Sequence, residues 1–132
     1  MHIEYKDIKL LRQEELQNLF VSVGWVAGQY PEKLVVAMQN SSSVFSAWAD
    51  DRLIGLINVL DDNVMTAYIH FLLVNPAYQG MGIGKELLRM VTETYHNYLR
   101  IVLISDEAET EFYISNGFHT GAGTVAMFID SF

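Results

Sequence analysis

Three alternate glycines between a predicted strand and a predicted helix constrain this chain more than any other feature. Gly80, Gly82 and Gly84 follow a β-type segment, Leu72 to Val74, which Pro76 interrupts, and they lead directly into an amphipathic helix. Glycine allows positive φ and a close approach of the backbone to a ligand. The N–H groups that begin a helix lack partners within it and favour an anion such as a pyrophosphate. The pattern predicts an anion-binding turn; a turn that needs glycine only for packing is the alternative.

Two common nucleotide-binding motifs do not account for this turn. A dinucleotide fingerprint, Gly-x-Gly-x-x-Gly, requires glycine at the position of Lys85. A nucleotide P-loop requires glycine at the position of Gln79, and serine or threonine at the position of Glu86. Both motifs are excluded, so the glycines point to a different class of ligand.

The composition is that of a globular domain. The chain has 132 residues, of which 51% are hydrophobic and 18% charged, and this balance excludes an intrinsically disordered protein. One domain over residues 1–132 can bury a sufficient core without a structural metal. The sequence contains no cysteine, which excludes disulfides, thiolate catalysis and thiolate metal sites. We expect no bound metal.

The net charge of −8, from eight basic and sixteen acidic residues, predicts which partners the chain avoids. Phosphate binding depends on clustered Lys and Arg, so we expect neither nucleic acid nor an anionic membrane as a partner. A cationic partner such as an amine is compatible with this charge. The first residues contain no apolar signal core and no apolar run reaches membrane-spanning length. We therefore expect a cytoplasmic protein.

Hydrophobic periodicity predicts an α/β fold with a mixed sheet, in which a strand meander is followed by alternating helices and strands. The predicted strands are His2 to Ile8, Val44 to Ala49, Leu53 to Leu60, Met65 to Val74, Arg100 to Ile104 and Val125 to Ile129. Helices are predicted from Gln13 to Gly24, from Pro31, from Ile83 along a stripe that reaches Tyr98, and over Glu107 to Ser115. The strand from Arg100 is expected to be covered on both faces, and Asp106 with Glu109 has the spacing of a capping box.

The segment Gln79-Gly80-Met81-Gly82-Ile83-Gly84, after a strand ending in Val-x-Pro, resembles the acetyl-CoA-binding signature of the GNAT N-acetyltransferase superfamily. A second segment, Phe112 to Phe118, is similar to that family's Phe-Tyr-x-x-x-Gly-Phe pattern. The resemblance covers most of the chain. It implies a GNAT-like acyl-CoA N-acyltransferase fold and acetyl-CoA as the cosubstrate.

The resemblance also implies which residues hold acetyl-CoA. The backbone of a loop would bind the pyrophosphate: Gln79, Gly80, Met81, Gly82, Ile83, Gly84 and Lys85. The main chain of Leu72, Leu73 and Val74 would bind the pantetheine arm, and the N–H of Leu72 would face the thioester carbonyl. Asp106 stands where many members carry an asparagine near that arm, so it is either a ligand of the arm or a helix cap.

Tyr113 matches the family tyrosine that protonates the departing CoA thiolate; the alternative is a core aromatic residue. Many members carry a glutamate as general base where this chain has Tyr68. His70 lies two residues further on, on the same face of the strand, and is suited to accept a proton near neutral pH. A histidine with no catalytic role, and deprotonation through water, are the alternatives.

By analogy with the family, the acceptor would enter opposite CoA, where aromatic residues can enclose an amine. The candidate acceptor residues are Trp25, Tyr30, Tyr68 and Asn58; hydrophobic packing is the alternative. The resemblance implies acetyl transfer to a primary amine of a small molecule or peptide, by direct attack in a ternary complex. A non-catalytic acyl-CoA-binding module and an acidic protein-interaction domain are the alternatives. Because Val125, Met127 and Ile129 alternate, we also expect a homodimer through the C-terminal strands.

Overall fold

The computed structural model describes residues 2–131, which form one five-stranded sheet of order β1-β2-β3-β4-β5. The strands are β1 (Ile3–Asp7), β2 (Ser43–Ala49), β3 (Arg52–Asp61), β4 (Thr66–Val74) and β5 (Arg100–Leu103). The first four strands pair antiparallel and β5 pairs parallel to β4. The predicted mixed sheet, with the first strand at one edge, is confirmed.

Four α-helices cover this sheet, and their ends agree with the sequence signals. They are α1 (Gln13–Ser22), α2 (Pro31–Asn40), α3 (Ile83–Thr94) and α4 (Thr110–Ser115). Gly24, with φ of +73°, follows the end of α1, and Pro31 opens α2. No helix within residues 2–131 is long and apolar enough to cross a membrane.

The two faces of the sheet carry separate apolar cores, which explains why β2 and β3 are buried almost throughout. On one face, Ile54 and Ile57 pack with Leu87 and Val91 of α3. On the other face, β3 packs against α1 and α2. The β2–β3 hairpin turns at Asp50 and Asp51, whose φ values of 49° and 67° suit the tight turns that such hairpins favour.

The C-terminal part of the chain differs from the prediction. The strand β5 lies at the edge of the sheet with its apolar residues only half-buried, not covered on both faces. The predicted strand Val125 to Ile129 is wrong, because residues 118–131 contain no strand or helix and Val125 is 81% exposed. An apolar run cannot by itself distinguish a central strand from an edge strand, and strand preference needs a pairing partner.

Two helix details are also corrected. The helix α3 ends at Thr94, so Tyr98 lies in the turn that follows. A 3₁₀ turn, Glu107–Glu109, precedes α4, and the backbone carbonyl of Asp106 accepts the Glu109 N–H at 3.0 Å; its side chain makes no capping bond. The predicted end of α4 is confirmed, since Gly117 has φ of +96°.

Candidate active site

A cleft of about 660 Å³ opens between the end of β4, the glycine turn and α4. Most residues of the predicted donor site line it: Leu72, Leu73, Val74, Gln79, Gly80, Gly82, Ile83, Gly84, Lys85 and Asp106. Tyr113 and Trp25 line it as well. The exposed side chain of Met81 does not belong to the lining among the described residues.

A β-bulge in β4 forms one wall of this cleft. Asn58 pairs with Phe71 and Val59 pairs with Ile69, which leaves His70 as the extra residue. A bulge bends its strand and breaks the ladder locally. The pairing of β4 with β5 ends at Ile69, opposite Leu103, so β4 continues to its end paired with β3 alone. The two parallel strands therefore separate, and one edge of β4 is left free.

A buried polar network holds the bulge in place. Asn58 is 1% exposed, and its side-chain oxygen accepts the backbone N–H of Phe71 at 2.9 Å. Its amide nitrogen donates to the hydroxyl of Ser41 at 3.1 Å, and Ser41 donates to the carbonyl of Ala37 in α2 at 2.8 Å. The expectation that Asn58 contacts the acceptor is wrong, because both ends of its side chain are occupied inside the core. Its place is structural, behind the cleft wall.

The free edge of β4 presents the backbone N–H of Leu72. The N–H of Phe71 points toward β3, where it meets Asn58. Since successive N–H groups along a strand point to opposite sides, the N–H of Leu72 points away from β3. On that side β5 has already ended its pairing. The cleft therefore has a fixed donor at the position that the sequence predicted.

The glycine turn supplies further donors at the start of α3. Gly80 and Gly82 have φ of +82° and +80°, and a Cβ on either would point into open space, so backbone conformation is what requires glycine there. The first hydrogen bond of the helix runs from the Glu86 N–H to the Gly82 carbonyl at 3.0 Å. The N–H groups of the three preceding residues, 83–85, therefore have no partner inside the helix.

The remaining parts of the turn are held by contacts to its neighbours. The side chain of Gln79 donates to the carbonyl of Val74 at 3.1 Å, which ties the turn to the end of β4. Gly84 lies in the helix, and a Cβ there would meet the ring of Phe112 at an ordinary 3.5 Å. Gly84 thus lies where α3 contacts α4, and the positive-φ geometry of the turn depends on the two glycines before it.

Tyr113 stands on α4 in an aromatic cluster with Phe112 and Phe118, whose ring centres lie 5.1 and 5.8 Å from its own. Burial raises the pKa of Tyr113 to about 12, and the negative charges of Glu109 and Asp106 add to the effect. Its phenol is therefore protonated at neutral pH. A side chain that lines the cleft and carries a proton at neutral pH can donate it, and the raised pKa makes this phenol a weaker acid than an exposed tyrosine.

A family model described as an acetyltransferase (GNAT) domain matches residues 24–126. The chain belongs to the GNAT acetyltransferase family. An acetyltransferase of this family from Streptococcus pneumoniae superposes with a TM-score of 0.84 at 27% identity, with 98% of each chain covered. A second acetyltransferase, from Deinococcus radiodurans, gives a TM-score of 0.83 at 25% identity and covers 97% of this chain and 87% of that one.

Curated relatives agree with this assignment. An uncharacterized ycf52-like N-acetyltransferase of Prochlorococcus marinus is 33% identical over 86% of this chain and 66% of that protein. A ycf52 N-acetyltransferase of Pyropia yezoensis is 31% identical over 88% of this chain and 72% of that protein. A Glycine max protein named histone acetyltransferase TAP1 is 33% identical over 79% of this chain and 50% of that protein. The chain thus spans between half and about three quarters of the length of these three relatives.

Among the candidate base and acceptor residues, only Trp25 is part of the cleft lining. His70 and Tyr68 are neighbours on β4, with ring centres 5.8 Å apart. The His70 ring stacks on Phe71 at 3.9 Å, and Phe71 lies 6.0 Å from the ring of Trp25. Tyr30 lies beyond a 3₁₀ turn, Val26–Gln29, and is 41% exposed.

The electrostatics of His70 fit a residue that accepts a proton. Partial burial lowers the pKa of His70, since a charged imidazolium loses solvation there. The neutral ring predominates at pH 7. The bulge places this ring at the point where β4 and β5 separate, a location that strand alternation alone did not predict.

Several lining residues of the cleft were not predicted from the sequence. They are Ser22, Val23, Pro76, Tyr78, Glu109 and Phe112. Pro76 and Tyr78 belong to the 3₁₀ turn at the end of β4, and Phe112 lies in the second family segment, so both signals were present. The end of α1 carries no such signal, because its approach to β4 depends on tertiary packing. Within the described residues, no group of three His, Asp or Glu side chains could hold a metal ion.

Proposed function

We propose that this GNAT protein transfers an acetyl group from acetyl-CoA to a primary amine, by direct attack in a ternary complex. One observation carries the proposal: a single cleft brings together the glycine turn, the free edge of β4 and the protonated Tyr113. Each of the three suits a different part of an acyl-CoA thioester.

The chemistry of the cleft residues fits acetyl-CoA. The unpartnered N–H groups at the start of α3, with the ammonium of Lys85 beside them, suit a pyrophosphate. The free edge of β4 can pair with the amides of an extended pantetheine arm, as it would with another strand. A volume of about 660 Å³ is within the usual range of ligand pockets.

Two groups of the chain would act on the reacting bond. The N–H of Leu72 would stabilise negative charge on the thioester oxygen as the amine attacks. Tyr113 would give its proton to the departing thiolate as the new C–N bond replaces the C–S bond. The proton that the amine loses would pass to His70, directly or through water.

The charges at the Tyr113 end of the cleft support a cationic acceptor. Asp106 and Glu109 line this end, and Trp25 adds an aromatic wall. Carboxylates attract an ammonium group, and an indole ring can cover its alkyl portion. The name of the Glycine max relative, histone acetyltransferase, is consistent with a lysine side chain as one such acceptor.

The test has two arms that separate binding from turnover. Calorimetry with acetyl-CoA should show one site per chain, and CoA release should be measured on lysine peptides, peptide N-termini, polyamines and aminoglycosides. At least one cationic amine should be acetylated. Binding without turnover on any acceptor would replace this proposal with a non-catalytic acyl-CoA-binding module, and absence of binding would refute both.

A further inference from the structure

The end of α1 forms a hydrogen-bonded turn that carries Trp25 to the cleft. Gly24, at φ of +73°, donates its N–H to the carbonyl of Val21 at 2.9 Å. The N–H of Trp25 donates to the carbonyl of Phe20 at 3.2 Å. These two bonds define a Schellman motif, in which the residue after the glycine packs against the last turn of the helix. Accordingly, the rings of Trp25 and Phe20 meet edge to face, with their centres 6.1 Å apart.

The 3₁₀ turn that follows Trp25, Val26–Gln29, is also bonded to α1. The N–H of Gly28 donates to the carbonyl of Trp25 at 3.0 Å, so both backbone groups of Trp25 have partners. The carbonyl of Gly28 accepts the side-chain amide of Gln17, which lies eleven residues earlier on α1, at 3.0 Å. We call this last hydrogen bond the clip. It joins the far side of the turn to the same helix from which Trp25 extends.

Gly28 is required by the closeness of the turn to α1. A Cβ on this buried glycine would lie 3.0 Å from Cγ2 of Val21 and 3.1 Å from the backbone nitrogen of Val21, closer than such atoms normally come. It would also lie 3.3 Å from Cβ of Phe20. Two of these three atoms are fixed by the helix, so the turn would have to move. Gly28 therefore allows the turn to approach α1, and the clip holds it there.

The indole that this turn positions belongs to an aromatic wall beside the candidate base. Trp25 lines the cleft, and its ring centre lies 6.0 Å from that of Phe71. Phe71 in turn stacks on His70, with ring centres 3.9 Å apart. Gln17 and Gly28 lie behind this wall and are not part of the cleft lining among the described residues. Any effect they have on a ligand must therefore act through Trp25.

We propose that Gln17 and Gly28 are positioning residues that hold Trp25 as a preformed wall for the acceptor amine. This inference rests on the proposed acetyl transfer and concerns the acceptor alone. A side chain that is already ordered does not have to be ordered when the ligand binds, so the clip lowers the Michaelis constant for the acceptor. The proposed acetyl-CoA contacts come from β4 and the glycine turn, so binding of the donor does not depend on the clip.

The mobility of Trp25 can be measured without any substrate, because the chain has two tryptophans. Trp48→Phe leaves Trp25 as the single indole, and Trp48 is a buried residue of β2 outside the cleft lining. In this background, Gln17→Met removes the amide donor and keeps the length of the side chain. Gly28→Ala pushes the turn away from α1. Both variants should increase acrylamide quenching of Trp25 and lower its fluorescence anisotropy.

Glu15→Met is the matched control. Glu15 lies two residues before Gln17 on α1, and its carboxylate accepts the backbone N–H of Leu53 at 2.7 Å. This variant removes a bond from the same helix to β3 and should leave the fluorescence of Trp25 unchanged. Circular dichroism should confirm that all variants fold.

Steady-state kinetics should use the lysine peptide, or another amine that the wild-type chain acetylates. In Gln17→Met the Michaelis constant for this acceptor should rise roughly 3- to 10-fold, the range expected when a side chain must be ordered on binding. The turnover number and the Michaelis constant for acetyl-CoA should stay nearly unchanged, since only acceptor binding is weakened. Gly28→Ala should have the larger effect, and Glu15→Met should change none of the three constants.

The outcomes separate the positioning role from the function on which it rests. Turnover with an unchanged Michaelis constant for the acceptor in Gln17→Met and Gly28→Ala would overturn the positioning role alone. Unchanged quenching of Trp25 would do the same, as would an equal rise of that Michaelis constant in Glu15→Met. Absence of turnover on every amine would refute the proposed function and the positioning role together.

Discussion

Two of the open strand edges within residues 2–131, those of β4 and β5, differ in how they are made. The free edge of β4 arises inside one chain, where a bulge at His70 and the side chain of Asn58 turn the strand away from β5. The outer edge of β5 is open because no further strand within residues 2–131 lies beside it. The first edge opens on the cleft with the glycine turn, and the second opens on a groove lined by β5, by α4 and by part of residues 117–126.

This difference separates two kinds of binding. An edge held open by its own hydrogen bonds is pre-organised, so a small extended ligand can bind without reorganising the sheet. An edge that is open for lack of a neighbour is suited to another strand, since backbone pairing and apolar burial then come together. The edge of β4 therefore suits the proposed acetyl-CoA ligand, whereas the edge of β5 suits pairing with a further strand.

The largest effect is expected from a variant that removes the proposed acid from the cleft without changing the shape of the cleft. Tyr113→Phe keeps the ring in its aromatic cluster and loses only the hydroxyl. Turnover number should fall by about 10²–10⁴-fold, the usual contribution of a general acid. Steady-state kinetics on an identified acceptor measures this loss, and calorimetry should show nearly unchanged affinity for acetyl-CoA.

Tyr95→Phe provides a matched control for this variant. Tyr95 is a buried tyrosine whose hydroxyl lies 2.6 Å from that of Ser43, outside the cleft lining. This variant should cost some stability and leave turnover unchanged. If Tyr113→Phe behaves in the same way, Tyr113 is a packing residue and the acid must be sought elsewhere.

The next prediction concerns the glycine turn, which is the proposed pyrophosphate site next to the free edge of β4. Gly82→Val places a β-branched side chain at φ of +80°, a strained conformation for such a residue. The turn should shift, and acetyl-CoA affinity should fall on the order of 100-fold, or about 2.7 kcal/mol, by calorimetry. Gly123→Val has nearly the same φ, +79°, and equally open surroundings, but Gly123 lies outside the cleft lining. Equal affinities in the two variants would show that the glycine turn does not bind the pyrophosphate.

The sequence was sufficient to predict the glycine turn because the requirement there is local. Positive φ at Gly80 and Gly82, Pro76 before them and an amphipathic helix after them are each encoded within a few residues. The bulge is different, since Asn58 lies thirteen residues from Phe71 and acts on it only when β3 and β4 pair. The alternation of apolar residues therefore predicted β4 correctly. It did not show where β4 separates from β5.

The errors at the C-terminus have the opposite cause. The run from Ile101 to Leu103 and residues 125–129 both have a preference for β structure, but a strand forms only where a partner is within reach. Within residues 2–131, β5 has a partner on one side only and residues 125–129 pair with no strand. A sequence pattern identifies such segments as strand-like, and only the structure shows which of them find a partner.

A third prediction concerns Asn58, whose buried side chain supports the bulge at the free edge of β4. Asn58→Ala leaves the Phe71 N–H and the Ser41 hydroxyl without a partner in the core. The free energy of unfolding should fall by about 1–3 kcal/mol, as for other unsatisfied buried groups. The Michaelis constant for acetyl-CoA should rise several-fold as β4 relaxes. Denaturant titration and steady-state kinetics measure the two effects.

Ser46→Ala is the control, because Ser46 is also fully buried and its hydroxyl accepts the indole N–H of Trp48 at 2.9 Å, on the far side of β3. It should lower stability without changing the Michaelis constant. A Michaelis constant for acetyl-CoA that does not change in Asn58→Ala would mean that the bulge stays open without this side chain.

The last prediction concerns His70, the extra residue of the β-bulge in β4. The pKa of His70 is lowered by burial, so the neutral, proton-accepting ring is already dominant at pH 7. If His70 is the base, kcat/KM should rise with pH through an apparent pKa below 6.5 and then level off. His70→Gln should remove this acidic limb and lower the plateau by roughly 10-fold or more.

His96→Gln serves as the control for the pH profile, because His96 is exposed beyond the end of α3 and lies outside the cleft. It should keep both the limb and the plateau. Should His70→Gln also keep them, with a single limb that follows the ionisation of the acceptor amine instead, then the amine loses its proton to water. The bulge would then serve only to separate β4 from β5, and the comparison of the two edges would depend on Leu72 and Tyr113 alone.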